Sequence, residues 1–195
     1  MTNKRILYLD VQTSTADPQQ GVILSIAAVL DKKTKKNPIV SAHVLVAPTP
    51  MQWMWAEPAM LDQSNLTWEL LQEEGRPWQE VRDEFSQWLA GNGVAGGKAI
   101  VLAYDVPRVL GFLERYLGSE LELAHFPFDN VFDIRDYYSI LTNRRVMPLL
   151  PDRSLRAISY ELKVDADSEL FMTPVVRVNM IMQCYEKMLE LGVRE

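Results

Sequence analysis

The chemical question is posed first by one carboxylate. The hydrophobic run Arg5–Val11 (RILYLDV) carries Asp10 near its end and opens into a polar turn, Gln12–Gln20. Ile6, Leu7, Tyr8 and Leu9 follow one another with little polar interruption, the pattern of a strand covered on both faces. A carboxylate at the carboxyl end of such a strand sits where α/β proteins build their sites. Asp10 is therefore the first candidate for acid, base or metal chemistry; the plain alternative is a solvated residue at a strand end. Nucleophilic catalysis has less to stand on. The histidines, His43 and His125, lie far apart, Ser14 and Ser154 have no evident base, and there is no GxSxG, Walker loop or CxxC.

The elements that would position Asp10 can be read in chain order. After the first strand, Val22–Leu30 (VILSIAAVL) reads as a second and Ile39–Val46 as a third. Their connections are too short for a helix, which predicts an antiparallel meander. Met51–Trp55 (MQWMW) follows Pro48 and Pro50 without a clear period. It reads as a loop packed on the core, with an exposed aromatic platform for a partner or for stacked bases as the sharper reading. A short helix over Ala59–Leu61 and another over Trp68–Glu74, capped by Asn65 or Thr67, come next. Trp78, Val81, Phe85, Trp88 and Leu89 then form one apolar helical stripe. Beyond a glycine-rich break, Ile100–Ala103 is a short buried strand. Asp105 or Pro107 opens a helix whose stripe is Val109, Phe112, Leu113, Tyr116 and Leu117.

Asn130–Ile134 is read as the last strand, followed by a helix over Arg135–Leu141, a basic loop over Asn143–Pro151, a helix over Leu155–Leu162 and a closing helix over Val175–Leu191. In that closing helix Ile181, Cys184, Met188 and Leu191 face inward. Arg177, at i−4 from Ile181, leads the same stripe, and a buried arginine needs an acidic partner.

Composition bounds the function. The 195 residues suit one domain over 1–195, with 48% hydrophobic and 24% charged residues. A net charge of −6, from 26 acidic and 20 basic residues, argues against a broad electropositive surface for duplex DNA. One cysteine, Cys184, excludes an intrachain disulfide and, with no signal-like or membrane-spanning stretch, points to the cytoplasm and away from membranes.

The element order predicts a mixed α/β sheet with the first strand central and helices on both faces. Here the chain resembles the DEDD-type 3′–5′ exonucleases, the group of proofreading exonuclease subunits, RNase T and oligoribonucleases. LYLDVQTST stands where the family has a strand followed by Asp-x-Glu-Thr-Thr/Ser-Gly, and VILSIAAVL resembles its second strand. SNLTWELLQEEGRPWQEVRDEFSQWL is similar to the family's middle segment. VLAYDVPRVLGFLERYL resembles the motif HN-x-x-FD-l-x-FL, and the closing helix resembles the apolar helix of its last motif. The resemblance covers nearly the whole chain in the correct order. It implies a ribonuclease H-like fold: a mixed five-stranded sheet of three antiparallel meander strands, then parallel strands.

The family's chemistry is phosphodiester hydrolysis, in which four carboxylates hold two divalent cations about 3.5–4 Å apart. Transferred position by position, the resemblance keeps one acid. Asp10 matches the first aspartate. Gln12 stands at the glutamate, and its neutral amide is a poor ligand for a hard cation. Val109 stands at the second-motif aspartate, with Asp105 at the preceding asparagine. Met172 stands at the histidine and Arg177 at the final aspartate. Asp129, Asp133, Asp136, Asp165 and Asp167 could supply substitutes, but a solvated surface role suits their spacing better. The reading is an exonuclease-like domain, catalytically silent and retained to bind a protein or single-stranded nucleic acid. Arg144, Arg145 and Arg153, with Trp53 and Trp55 as stacking surfaces, are the nucleic-acid candidates. No cofactor is expected. The alternative is an active 3′–5′ exonuclease on single-stranded DNA or RNA ends that uses Mg²⁺ or Mn²⁺ through substituted ligands, with Asp10 as the one inherited ligand. A third reading is an unrelated enzyme or scaffold on a similar sheet. If Arg177 faces Asp10, an ion pair has taken the place of the metals.

Overall fold

The uninterrupted apolar run at the start of the chain is buried on both faces because it is the middle strand of the sheet. The computed structural model describes residues 5–31, 40–62, 64–94, 99–123, 126–164 and 173–192. Strands β1 (Arg5–Thr13), β2 (Ile23–Asp31) and β3 (Val40–Leu45) form the expected meander. Four helices follow: α1 (Pro50–Met54), α2 (Pro58–Asp62), α3 (Trp68–Glu73) and α4 (Trp78–Gly91). Then come β4 (Ala99–Ala103), α5 (Val106–Leu123), a 3-10 turn at Phe128–Asn130, β5 (Val131–Asp133), α6 (Ile134–Asn143), α7 (Leu155–Glu161) and α8 (Pro174–Gly192). The sheet order is β3-β2-β1-β4-β5; β1 is antiparallel to β2 and parallel to β4, which is parallel to β5. This is the mixed five-stranded, ribonuclease H-like arrangement.

Strand alternation assigns the two layers. Leu7, Leu9 and Val11 point into a cluster with Val81, Phe85 and Leu89 of α4 and Val109, Phe112 and Leu113 of α5. Ile6 and Tyr8 point the other way, into a cluster built by Ile134, Tyr138 and Leu141 of α6, Leu155 and Ile158 of α7, and Val178, Ile181, Cys184 and Met188 of α8. By the same alternation Asp10 and Gln12 belong to the face that α8 covers, since α8 packs across β1, β2 and β4. Among the described residues no helix is long and apolar enough to cross a membrane.

Several expectations need correction. Met51–Trp55 is not a loop. Met51–Met54 belong to α1, whose N-cap Thr49 accepts from the Gln52 N–H while the Gln52 side chain accepts from the Thr49 N–H, with Pro50 opening the helix. This T-x-x-Q capping box was readable in the sequence. The third strand ends at Leu45 and Val46 makes an isolated bridge to Arg76, while Ile39 lies outside the described residues. The last strand spans three residues because Ile134 already begins α6. Helix α5 starts at Val106. Asp105 before it holds a left-handed conformation (φ 61°), and the Val106 N–H is capped by the side chain of Asp133 (3.0 Å).

Candidate active site at the strand ends

Asp10 is not solvated; its exposure is 0%. Gln12, two residues on and so on the same face, turns its amide back and donates to Asp10 Oδ2. From α8, Arg177 reaches the same carboxylate, its Nε–H shared between Oδ1 (3.3 Å) and Oδ2 (3.2 Å). Arg177 is itself 8% exposed. It occupies the inward stripe of α8 with Ile181, Cys184 and Met188, which explains why an arginine there must find an acid. Gln12 and Arg177 thus engage both carboxylate oxygens, and the pair is neutral without any added ion.

Val109 is part of the apolar cluster that also holds Leu9 and Val11, so the second family position contributes packing and no charge. Met172 lies outside the described residues, as do Asp165 and Asp167.

The turn beyond β1 is closed by its own hydroxyls. Thr13 Oγ1 donates to Thr15 O (2.8 Å), Thr15 Oγ1 donates to Asp17 O (2.9 Å), and Ser14 Oγ accepts from the Val22 N–H (2.9 Å). The Glu57 N–H donates to Ser14 O (2.7 Å), which fixes the start of α2 against this turn. Gly21 is required there, because a Cβ would stand 2.2 Å from Thr15 Oγ1.

A second charged group, which the sequence reading missed, ties the neighbouring strand ends together. Arg108 donates to Asp105 Oδ2 (3.0 Å), to Val11 O (3.0 Å) and to Thr13 Oγ1 (3.1 Å). Arg135 bridges Asp105 Oδ1 (3.0 Å) and Asp133 Oδ2 (2.6 Å), with its guanidinium 5.0 Å from the centre of the Tyr104 ring. The hydrogen bond to Asp133 holds Arg135 more firmly protonated than usual, and burial raises the pKa of the Tyr104 hydroxyl. Asp133 is buried at 6% exposure, correcting the surface role expected of it. Its Oδ1 also accepts from the Arg135 N–H (2.9 Å), so one carboxylate caps both α5 and α6. The signal for Arg108 was present: it stands at i−4 from Phe112, as Arg177 does from Ile181, a cation leading an apolar stripe.

The ends of β1, β4 and β5 therefore carry three buried or half-buried aspartates, each matched by arginine. Two metals would need several free carboxylates facing one point. The described residues contain no group of three or more metal-ligating side chains, and the oxygens of Asp10 are already engaged, so this donor set does not fit a two-metal centre.

The proposed nucleic-acid residues do not converge. Trp53 packs with Leu66, Leu71 and Trp68 in a satellite cluster, while Trp55 is exposed. Arg144 ends α6, Arg145 follows it at φ 60°, and Arg153 donates to Ser139 Oγ on α6 (3.0 Å). The arginines flank α6, whereas Trp53 packs on the satellite cluster with α3.

No family model matches the chain, and no curated protein does. Solved structures do. Cell-death related nuclease 4 (CRN-4) superposes with a TM-score of 0.74 at 14% identity, over 98% of this chain and 65% of its own. E. coli exonuclease I in complex with a dA16 oligonucleotide gives 0.70 at 12% identity, over 96% and 41%. SSB/exonuclease I in complex with the inhibitor CFAM gives 0.67 at 10% identity, over 97% and 44%. The chain thus spans about two thirds of the first and under half of the others. What it shares with these nucleases is the exonuclease-like, ribonuclease H-like fold.

Proposed function

We propose that this chain is a catalytically silent exonuclease-like domain that works by binding, with a protein or single-stranded nucleic acid as its partner. The observation that carries this reading is the fully buried Asp10, whose carboxylate is taken by Arg177 and Gln12. A hydrolytic centre needs carboxylates that face substrate and share cations. Here the inherited carboxylate faces a guanidinium, and Val109 belongs to the core. That exonuclease I has been crystallised with dA16 and together with SSB supports both partner classes. A reducing, cytoplasmic setting is part of this reading, supported by the single cysteine, Cys184, which leaves no intrachain disulfide.

The test pairs calorimetry with a nuclease assay. Titration with Mn²⁺ or Mg²⁺ gives no stoichiometric heat, and labelled single-stranded DNA and RNA stay intact in either metal. Cleavage that disappears in Asp10→Asn would establish the active exonuclease instead.

A further inference from the structure

One surface feature lies outside the strand-end site. An apolar groove of about 320 Å³ is lined by Ile100 and Leu102 of β4, Phe132 of β5, Tyr137 and Ile140 of α6, and Tyr185 of α8. Phe132 and Ile140 are among the exposed large hydrophobic residues of the chain, at 54% and 48%. Strand β5 is the outer edge of the sheet, three residues long. An exposed apolar groove beside a sheet edge is a common feature of protein-recognition surfaces.

The charges around the groove select the partner. Phe132, Asp133 and Asp136 form a wall shared with a second, polar groove of about 540 Å³, which Asp152, Arg153 and Ser154 also line. Asp133 is committed to Arg135, and Arg135 to Asp133 and Asp105. Asp136 has no basic partner among the described residues, and Asp152 accepts only from Ser154. Arg153 also lines the polar groove and donates to Ser139 of α6 (3.0 Å), one turn beyond Asp136, so it offsets one of these carboxylates. A ligand lying across the shared wall therefore meets apolar side chains on one side and, on the other, three aspartates against two arginines, a carboxylate surplus. Phosphates would be repelled by Asp136 and Asp152, and a cation would be attracted.

We infer that this pair of grooves docks an extended segment of a partner protein that places an aromatic or aliphatic side chain in the apolar groove and a neighbouring Lys or Arg against Asp136 and Asp152. The inference goes beyond the silent-domain reading and does not depend on it, because no residue of the Asp10–Arg177 pair is involved.

The test is selection of linear random peptides displayed on phage, followed by fluorescence anisotropy with the best peptide synthesised and labelled. Selected peptides carry a basic residue next to a large apolar one. Ile140→Asp, at an exposed position, weakens binding about tenfold, as expected for an anchor contact. Asp136→Lys weakens it roughly fivefold, and exchanging the peptide's basic residue for Glu restores binding to that variant. Met54→Asp, on the unrelated α1 surface, leaves binding unchanged. Circular dichroism of each variant guards against loss of fold. Acidic selected sequences, no selected sequence, or binding indifferent to Ile140→Asp would overturn the inference. So would displacement of the peptide by a single-stranded oligonucleotide. A dimer in sedimentation that Ile140→Asp dissociates would give the groove to a second copy of this chain and overturn it too.

Discussion

At Asp10 a buried carboxylate survives because two donors come to it. Removing charge from one side of a buried pair leaves the other uncompensated, which costs about 3–5 kcal/mol. Arg177→Met therefore lowers stability by that order, since Asp10 then keeps only the Gln12 amide. Combining it with Asp10→Asn recovers most of the loss, because a well-packed neutral set is often as stable as the ion pair it replaces. Urea unfolding of the two single variants and the double variant measures the coupling directly. If the single variants lose less than about 1 kcal/mol, the pair behaves as an exposed one and the buried geometry is wrong. No variant of this cycle gains nuclease activity, as Gln12 and Val109 still withhold carboxylates.

Helices α5 and α6 hang on one side chain. Asp133 caps both from the end of β5, and its second task is to hold Arg135 between the ends of β4 and β5. Loss of a cap costs about 1 kcal/mol, so Asp133→Ala, which removes two, lowers stability by roughly 2 kcal/mol or more. Asp133→Asn keeps an acceptor for one of the two helix N–H groups and costs less, and denaturant midpoints rank the two. Legibility differs sharply among these elements. The closing helix and its buried Arg177 could be read because periodicity is local, and so could the double-sided burial of β1. The cap on α5 could not, since its acceptor lies 27 residues downstream and depends on β5 pairing with β4. Asp105 was legible as the residue that opens α5, its carbonyl accepting from the Val109 N–H (3.0 Å), but its conformation and its partners were not. A left-handed Asp gripped by two arginines looks in sequence like an ordinary helix start. The T-x-x-Q box of α1 was legible and was obscured by the unusual apolar content of MQWMW.

Across the whole molecule, charge limits what the chain can hold. It carries 20 basic residues against 26 acidic ones, and Arg76, Arg108, Arg135 and Arg177 are already engaged with carboxylates. Arg144 and Arg145, exposed at the end of α6, are cations left for a nucleic-acid backbone, whereas Arg153 lies in the groove with Asp136 and Asp152 and donates to Ser139. Two phosphate contacts to a single strand give log K a slope of about −1.4 against log salt, so binding falls roughly sevenfold between about 50 and 200 mM NaCl. Trp55 is exposed at the end of α1, whose Trp53 packs on a different cluster, and adds no stacking to such a strand, so Trp55→Ala leaves the affinity unchanged, whereas Arg144→Ala with Arg145→Ala removes the slope. Anisotropy of a labelled oligonucleotide across a salt series decides it. Binding that ignores salt, or that depends on Trp55, would move the nucleic-acid surface from α6 to α1. No binding even at low salt leaves a protein partner as the ligand of this fold.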